Sequence, residues 1–154
     1  MIELAAKVIN ALENKTLATA ESCTGGGIGS VLTAVPGSSA VYKGGIISYT
    51  NEIKQSLLSV PEELLDSRGA VSGEVAAAMA KGAKQALGAD VAVSVTGLAG
   101  PGADTFGNPV GTVFIGYCDD AVCESHRFWF DGDRQQVRQQ SVCAALTMIF
   151  EKNK

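Results

Sequence analysis

Hydrophobic positions in the first dozen residues recur at helical spacing. Ile2, Ala5, Ala6, Ile9 and Leu12 share a face, so the chain opens on an amphipathic helix. Asn14 and Lys15 link it to an apolar, β-tolerant stretch from Thr16 to Ala20. Ile28, Val31, Leu32 and Val35 return to helical spacing, and Pro36-Gly37-Ser38-Ser39 stops that helix. Val41 to Thr50 reads as a strand broken at Gly44-Gly45, by a bulge or a close approach. Asn51 stands where a cap would for a helix over Glu52 to Leu58.

Pro61 to Arg68 predicts a short helical or irregular connector. Ser72 caps the clearest helix, with Val75, Met79, Ala83, Ala86 and Leu87 on its apolar face, Lys81 and Lys84 elsewhere, and Gly88 as its stop. Val91 to Val95 is uninterrupted by polar residues except Ser94, the pattern of a strand buried on both sides. Val110 to Tyr117 and Val122 to Phe130 predict two strands about an Asp119-Asp120 hairpin turn. Asp131-Gly132-Asp133 opens a last helix with Val137, Ser141, Ala144, Ala145 and Met148 toward the core, and Glu151 to Lys154 reads as a solvated tail. No repeat or linker divides the 154 residues, which fit one domain, 1–154, of α/β class. Its predicted architecture is three-layer α/β/α, with a mixed, mostly parallel sheet and an antiparallel hairpin.

Composition narrows the function. With 46% hydrophobic residues, 18% charged residues and 18 glycines, the chain has the makings of a packed core and many tight turns. No apolar run approaches a membrane span, and Glu3 and Lys7 make the N-terminus unlike a signal peptide, so a cytoplasmic protein is expected. A net charge of −4 argues against a general nucleic-acid binder, which needs a basic face. Cys23, Cys118, Cys123 and Cys143 contain no CxxC pair, and with the single His126 they offer no metal-ligand spacing. Buried reduced thiols are the expectation for them.

In sheets covered by helices on both faces, ligands sit beyond the carboxyl ends of the strands. Ser22, Tyr49 with Lys54, and Thr96 to Gly102 all follow predicted strands, so three turns converge on one cleft. Gly25, Gly26 and Gly27 open a helix at about 1 kcal/mol each relative to alanine, which suggests close approach of a substrate group or of the sheet itself. A serine needs a base, and His126, among Arg127, Phe128 and Trp129 on a strand, reads as a structural or surface residue. A lysine serves if burial keeps it neutral, and Lys54 is the candidate by position, although a first-turn lysine is more often solvated. Its helix N-terminus also disfavours the cationic form. Tyr49 is either cleft wall or a hydroxyl that relays a proton or holds the lysine, and Thr96 taken alone is a strand-end cap. Cys23 competes with Ser22 as nucleophile, but adjacent residues on a strand point oppositely.

These residues resemble a known family. Ala20-Glu21-Ser22-Cys23-Thr24-Gly25-Gly26, Gly45-Ile46-Ile47-Ser48-Tyr49 with Asn51 and Lys54, Gly69-Ala70-Val71-Ser72, Thr96-Gly97-Leu98-Ala99-Gly100-Pro101, Pro109-Val110-Gly111-Thr112-Val113 and Phe130-Asp131-Gly132-Asp133-Arg134 together resemble the CinA C-terminal domain family of nicotinamide-nucleotide amidases. The resemblance runs over nearly the whole chain. It implies a stand-alone amidase domain that deamidates nicotinamide mononucleotide without metal or cofactor and works as a homodimer. By matching position it implies Ser22 as nucleophile, Lys54 as base, Tyr49 as assisting hydroxyl, Thr96 at the active site, and Arg134 toward the phosphate or carboxamide. Backbone around Cys23, Thr24, Gly25 and Gly26 is then the expected oxyanion site, and either this turn or Gly97 to Gly100 the phosphate site. The insertion Ala103-Asp104-Thr105-Phe106 departs from the family loop, and Asp104 is expected to face away from the ligand or meet a cation. Two rival readings are a non-catalytic nucleotide-binding module and a thiol hydrolase using Cys23.

Overall fold

In the computed structural model, which describes Met1–Lys154, strand β1 (Leu17–Glu21) runs through the middle of the protein with all five residues buried. Its alternation divides the interior. Leu17 faces α1 (Ile2–Ala11), α2 (Gly27–Thr33) and α6 (Arg134–Asn153), while Ala18 and Ala20 face α5 (Gly73–Leu87). The first side packs large residues, among them Val93, Ile115, Ile28, Leu32, Leu146 and Ile149. The second relies on small ones, so α5 lies close enough that a Cβ on Gly116 would strike the Ala76 carbonyl.

β1 pairs in parallel with β2 (Tyr42–Ile47) on one side and β3 (Val91–Gly97) on the other. β4 (Thr112–Cys118) and β5 (Cys123–Trp129) then add antiparallel, giving the order β2-β1-β3-β4-β5. The sheet is therefore mixed as expected, with two parallel and two antiparallel pairings, and only β4 runs against the other four strands. The chain leaves β1 for β2 and returns across it, through α3 (Asn51–Leu58), α4 (Glu62–Arg68) and α5, to β3. Connections diverge at β1 and β3, which opens a crevice beyond their carboxyl ends.

Several local expectations change. The Gly44-Gly45 break is a bulge, since pairing passes from Leu17 with Tyr42 to Ala18 with Gly44 and leaves Lys43 over. Thr50, not Asn51, caps α3, its hydroxyl accepting the Ile53 N–H at 3.3 Å. In α5 Ala86 is exposed, and Ala76, Ala80 and Gly82 complete the buried face. In α6 Val142, Leu146 and Ile149 carry the core in place of Ala144 and Met148, which sit at its margin. Glu151–Asn153 are helical and not a loose tail, with Asn153 Nδ2 donating to the Tyr117 hydroxyl at 3.1 Å.

The cysteines also depart from expectation. The β4–β5 register sets Cys118 opposite Cys123 with Cα atoms 4.1 Å apart, joined as a disulfide. Cys143 is exposed, which leaves Cys23 as the one buried free thiol. A spacing of five carries no pairing pattern of its own; the hairpin brings these two together.

Candidate active site

At the end of β1 the Ser22 N–H donates to Val95 O at 2.9 Å, and the Ser48 N–H donates to Glu21 O at 2.8 Å. These bonds extend the ladder one residue past each strand and hold the two turns side by side. α3 begins directly after β2 and points Lys54, from its first turn, back beneath them. Lys54 is only 1% exposed. Its Nζ donates to the carbonyls of Ser48 at 2.8 Å and Tyr49 at 3.3 Å, and lies 3.1 Å from Ser22 Oγ. Burial pushes the Lys54 amine down to about 8, against an opposing effect of the nearby Cys23. A neutral amine has two N–H groups and one lone pair, so with both donors engaged on carbonyls the lone pair meets the Ser22 hydroxyl.

The crevice has a volume of about 430 Å³, and Ser22, Cys23, Lys54, Thr96, Gly97, Gly100 and Arg134 are among its walls. No carboxylate lines it. Cys23 is buried beside Ser22, and desolvation pushes its thiol up to about 11, so it is a thiol at neutral pH. Thr96 is held by its Oγ1 donating to Ala70 O at 2.7 Å, which ties β3 to the turn between α4 and α5. Arg134 spans two walls, donating to Gly100 O at 2.7 Å and to the Tyr49 hydroxyl at 3.2 Å. No carboxylate pairs with it.

Tyr49 lines the crevice. The residue is 59% exposed with its hydroxyl turned to Arg134, and it is the Tyr49 backbone carbonyl that accepts from the lysine. Thr24 is buried, Gly25 lies under Arg138, and Gly26 packs against Ile47. Asp104 bends into its own loop, accepting N–H bonds from Phe106 and Asn108 at 3.1 Å each and from Asn108 Nδ2 at 2.7 Å. Burial raises its carboxyl, but these bonds outweigh that and leave it below the usual range. His126 pairs with Glu124 on the exposed β5 edge, as a surface residue.

Two residues went unread in the sequence. The buried Glu21 carboxylate accepts the N–H groups of Ile28 at 2.9 Å and Gly29 at 3.1 Å. It thereby occupies the N-terminus of α2 and leaves no room there for a ligand anion. Arg138 donates to the carbonyls of Cys23 at 3.0 Å and Thr24 at 3.3 Å. Arg138 left one trace in the sequence, its place one helical turn after Arg134.

The family model described as the CinA C-terminal domain matches residues 1–152. A Pseudomonas putida protein named nicotinamide-nucleotide amidohydrolase PncC is 50% identical over 90% of this chain and 86% of its own. A CinA-like protein of Parasynechococcus marenigrum is 52% identical over 88% of this chain, which there spans only 33% of the relative's length. Among solved structures, the competence damage-inducible protein A of Klebsiella pneumoniae superposes with a TM-score of 0.95 at 37% identity, covering 98% of this chain and 95% of its own. The competence/damage inducible protein CihA of Agrobacterium tumefaciens gives 0.94 at 39%, covering 99% and 95%.

Proposed function

Because the chain belongs to the CinA C-terminal domain family, we propose that it hydrolyses the carboxamide of nicotinamide mononucleotide to nicotinate mononucleotide and ammonia. The observation that carries this reading is the 3.1 Å approach of a buried, readily neutral Lys54 to Ser22. The likeness to the Pseudomonas putida amidohydrolase supports the substrate. So does a crevice that holds the Arg134 guanidinium and no carboxylate in a protein of net charge −4.

Ser22 Oγ attacks the carboxamide carbon as its proton passes to Lys54 Nζ. The tetrahedral oxyanion rests on the free N–H groups of Cys23 and Thr24. Lys54 then gives the proton to the leaving nitrogen, ammonia departs, and an acyl-serine remains. Water attacks in turn, its proton moving to Lys54 and from there to Ser22. The Gly97 to Gly100 turn, with Arg134 beside it, takes the phosphate, because the other candidate turn, at the start of α2, is already filled by Glu21. The reading includes a cytoplasmic homodimer, the latter checked by light scattering of the purified chain. No helix is long and apolar enough to cross a membrane.

Purified protein is incubated with nicotinamide mononucleotide, with nicotinamide as control, and ammonia is measured. Wild type is expected to release it from the nucleotide, and Ser22→Ala and Lys54→Met each to lose at least about a thousandfold in kcat. Binding without ammonia would favour the silent module, and activity that survives Ser22→Ala but not Cys23→Ser would favour the thiol enzyme.

A further inference from the structure

The turn after Ser22 is pinned by its carbonyls. Ser22 O accepts the Gly25 N–H at 3.1 Å, and Cys23 O accepts Arg138 Nε at 3.0 Å. In a trans peptide the C=O and N–H lie on opposite sides. Fixing these two carbonyls therefore aims the next two amides, Cys23 N–H and Thr24 N–H, the other way, and neither donates to any other residue. The first is set by the turn itself. The second is set by a side chain contributed from α6, more than a hundred residues away in sequence. Arg138 has no carboxylate partner, and its second bond, to Thr24 O at 3.3 Å, grips the following peptide of the same turn. A guanidinium on a peptide oxygen also draws electron density from that amide, which strengthens its N–H as a donor.

We infer that Arg138 is a positioning residue for the reaction proposed above: it orients and polarises the Cys23–Thr24 peptide so that the Thr24 N–H receives the oxyanion. It touches no substrate atom. Its effect falls on the transition state, where negative charge is on oxygen, and not on the bound ground state.

Arg138→Met and Arg138→Lys are compared with wild type in two assays. In turnover of nicotinamide mononucleotide, Arg138→Met is expected to lose about a hundredfold in kcat with KM within about threefold, and Arg138→Lys to recover part of the loss. In labelling of Ser22 by a fluorophosphonate, whose adduct also builds charge on oxygen, the rate is expected to fall by a similar factor. The limb of the pH profile that rises toward a midpoint near 8 keeps that midpoint in both variants, because Lys54 is untouched. Wild-type kcat in Arg138→Met, or kcat and KM moving together in both variants, would overturn the inference. Should wild type label at Ser22 yet release no ammonia, the substrate reading fails while the labelling rates still decide the role of Arg138.

Discussion

Lys54 illustrates how one residue trades stability for reactivity. Its amine is ordinarily near 10.5 and is pushed to about 8 in the fold, so a usable fraction, roughly a tenth, is neutral at pH 7. The proposed mechanism needs that neutral form. kcat/KM is therefore expected to rise with pH along a limb with its midpoint near 8; a limb centred at or above 10 would mean that the base is not desolvated. Stability follows the same group. Between about 8 and 10.5 the unfolded chain holds the extra proton, so stability rises with pH across that window. Below it both states are charged, and the folded one bears the whole cost of a buried ammonium, about 3 kcal/mol. Lys54→Met is accordingly expected to be at least as stable as wild type at pH 7 and to lose that advantage by pH 10. Urea midpoints at the two pH values check this, and a difference that ignores pH would contradict it.

Helix α3 brings the lysine to the serine, and the fit of α3 against α5 sets how accurately it does so. A Cβ on Gly82 would overlap the Leu58 carbonyl at the end of α3. In an isolated helix Gly→Ala gains about 1 kcal/mol. Here Gly82→Ala is expected to lose about 2 kcal/mol or more in urea unfolding, since backbone must shift to admit the methyl. Because α3 shifts with it, kcat of the folded fraction should fall as well; full activity per folded molecule would show that α3 does not register the lysine. Much of this element was legible beforehand. A strand, a cap and a first-turn lysine are local patterns, and they located α3 to within a residue, although Thr50 took the capping role expected of Asn51. Glycine at position 82 left no local trace of its purpose, because the carbonyl that forbids a side chain belongs to another helix.

Across the whole molecule, the chemistry and the covalent staple lie at opposite ends of the sheet. Cys118 pairs with Ala92 at the start of β3, while the crevice lies beyond Gly97 at its end, roughly 17 Å away along the strand. The Cys118–Cys123 disulfide closes a short loop of sequence separation 5, for which chain entropy allows about 2 kcal/mol. Dithiothreitol is therefore expected to lower the urea midpoint modestly and leave kcat unchanged. A loss of activity on reduction without unfolding would show that the hairpin communicates with the site. The sheet order β2-β1-β3 has the opposite consequence, since it concentrates three carboxyl-end turns at the divergence of the chain.

What the sequence by itself determined is what short-range physics can carry: the period of apolar residues, the capping and stop residues, and the positions of Ser22 and Lys54 after strands, whereas Thr96, expected beyond its strand, lies within the last pairs of β3. Tertiary structure decided which atoms meet. It gave Tyr49's carbonyl, not its hydroxyl, to the lysine, filled the start of α2 with Glu21, set Arg138 on the nucleophile turn, and paired two of four cysteines. The reason is one of range. Periodicity and capping act within a turn or a strand, whereas these contacts join residues whose proximity exists only once the separate layers have packed.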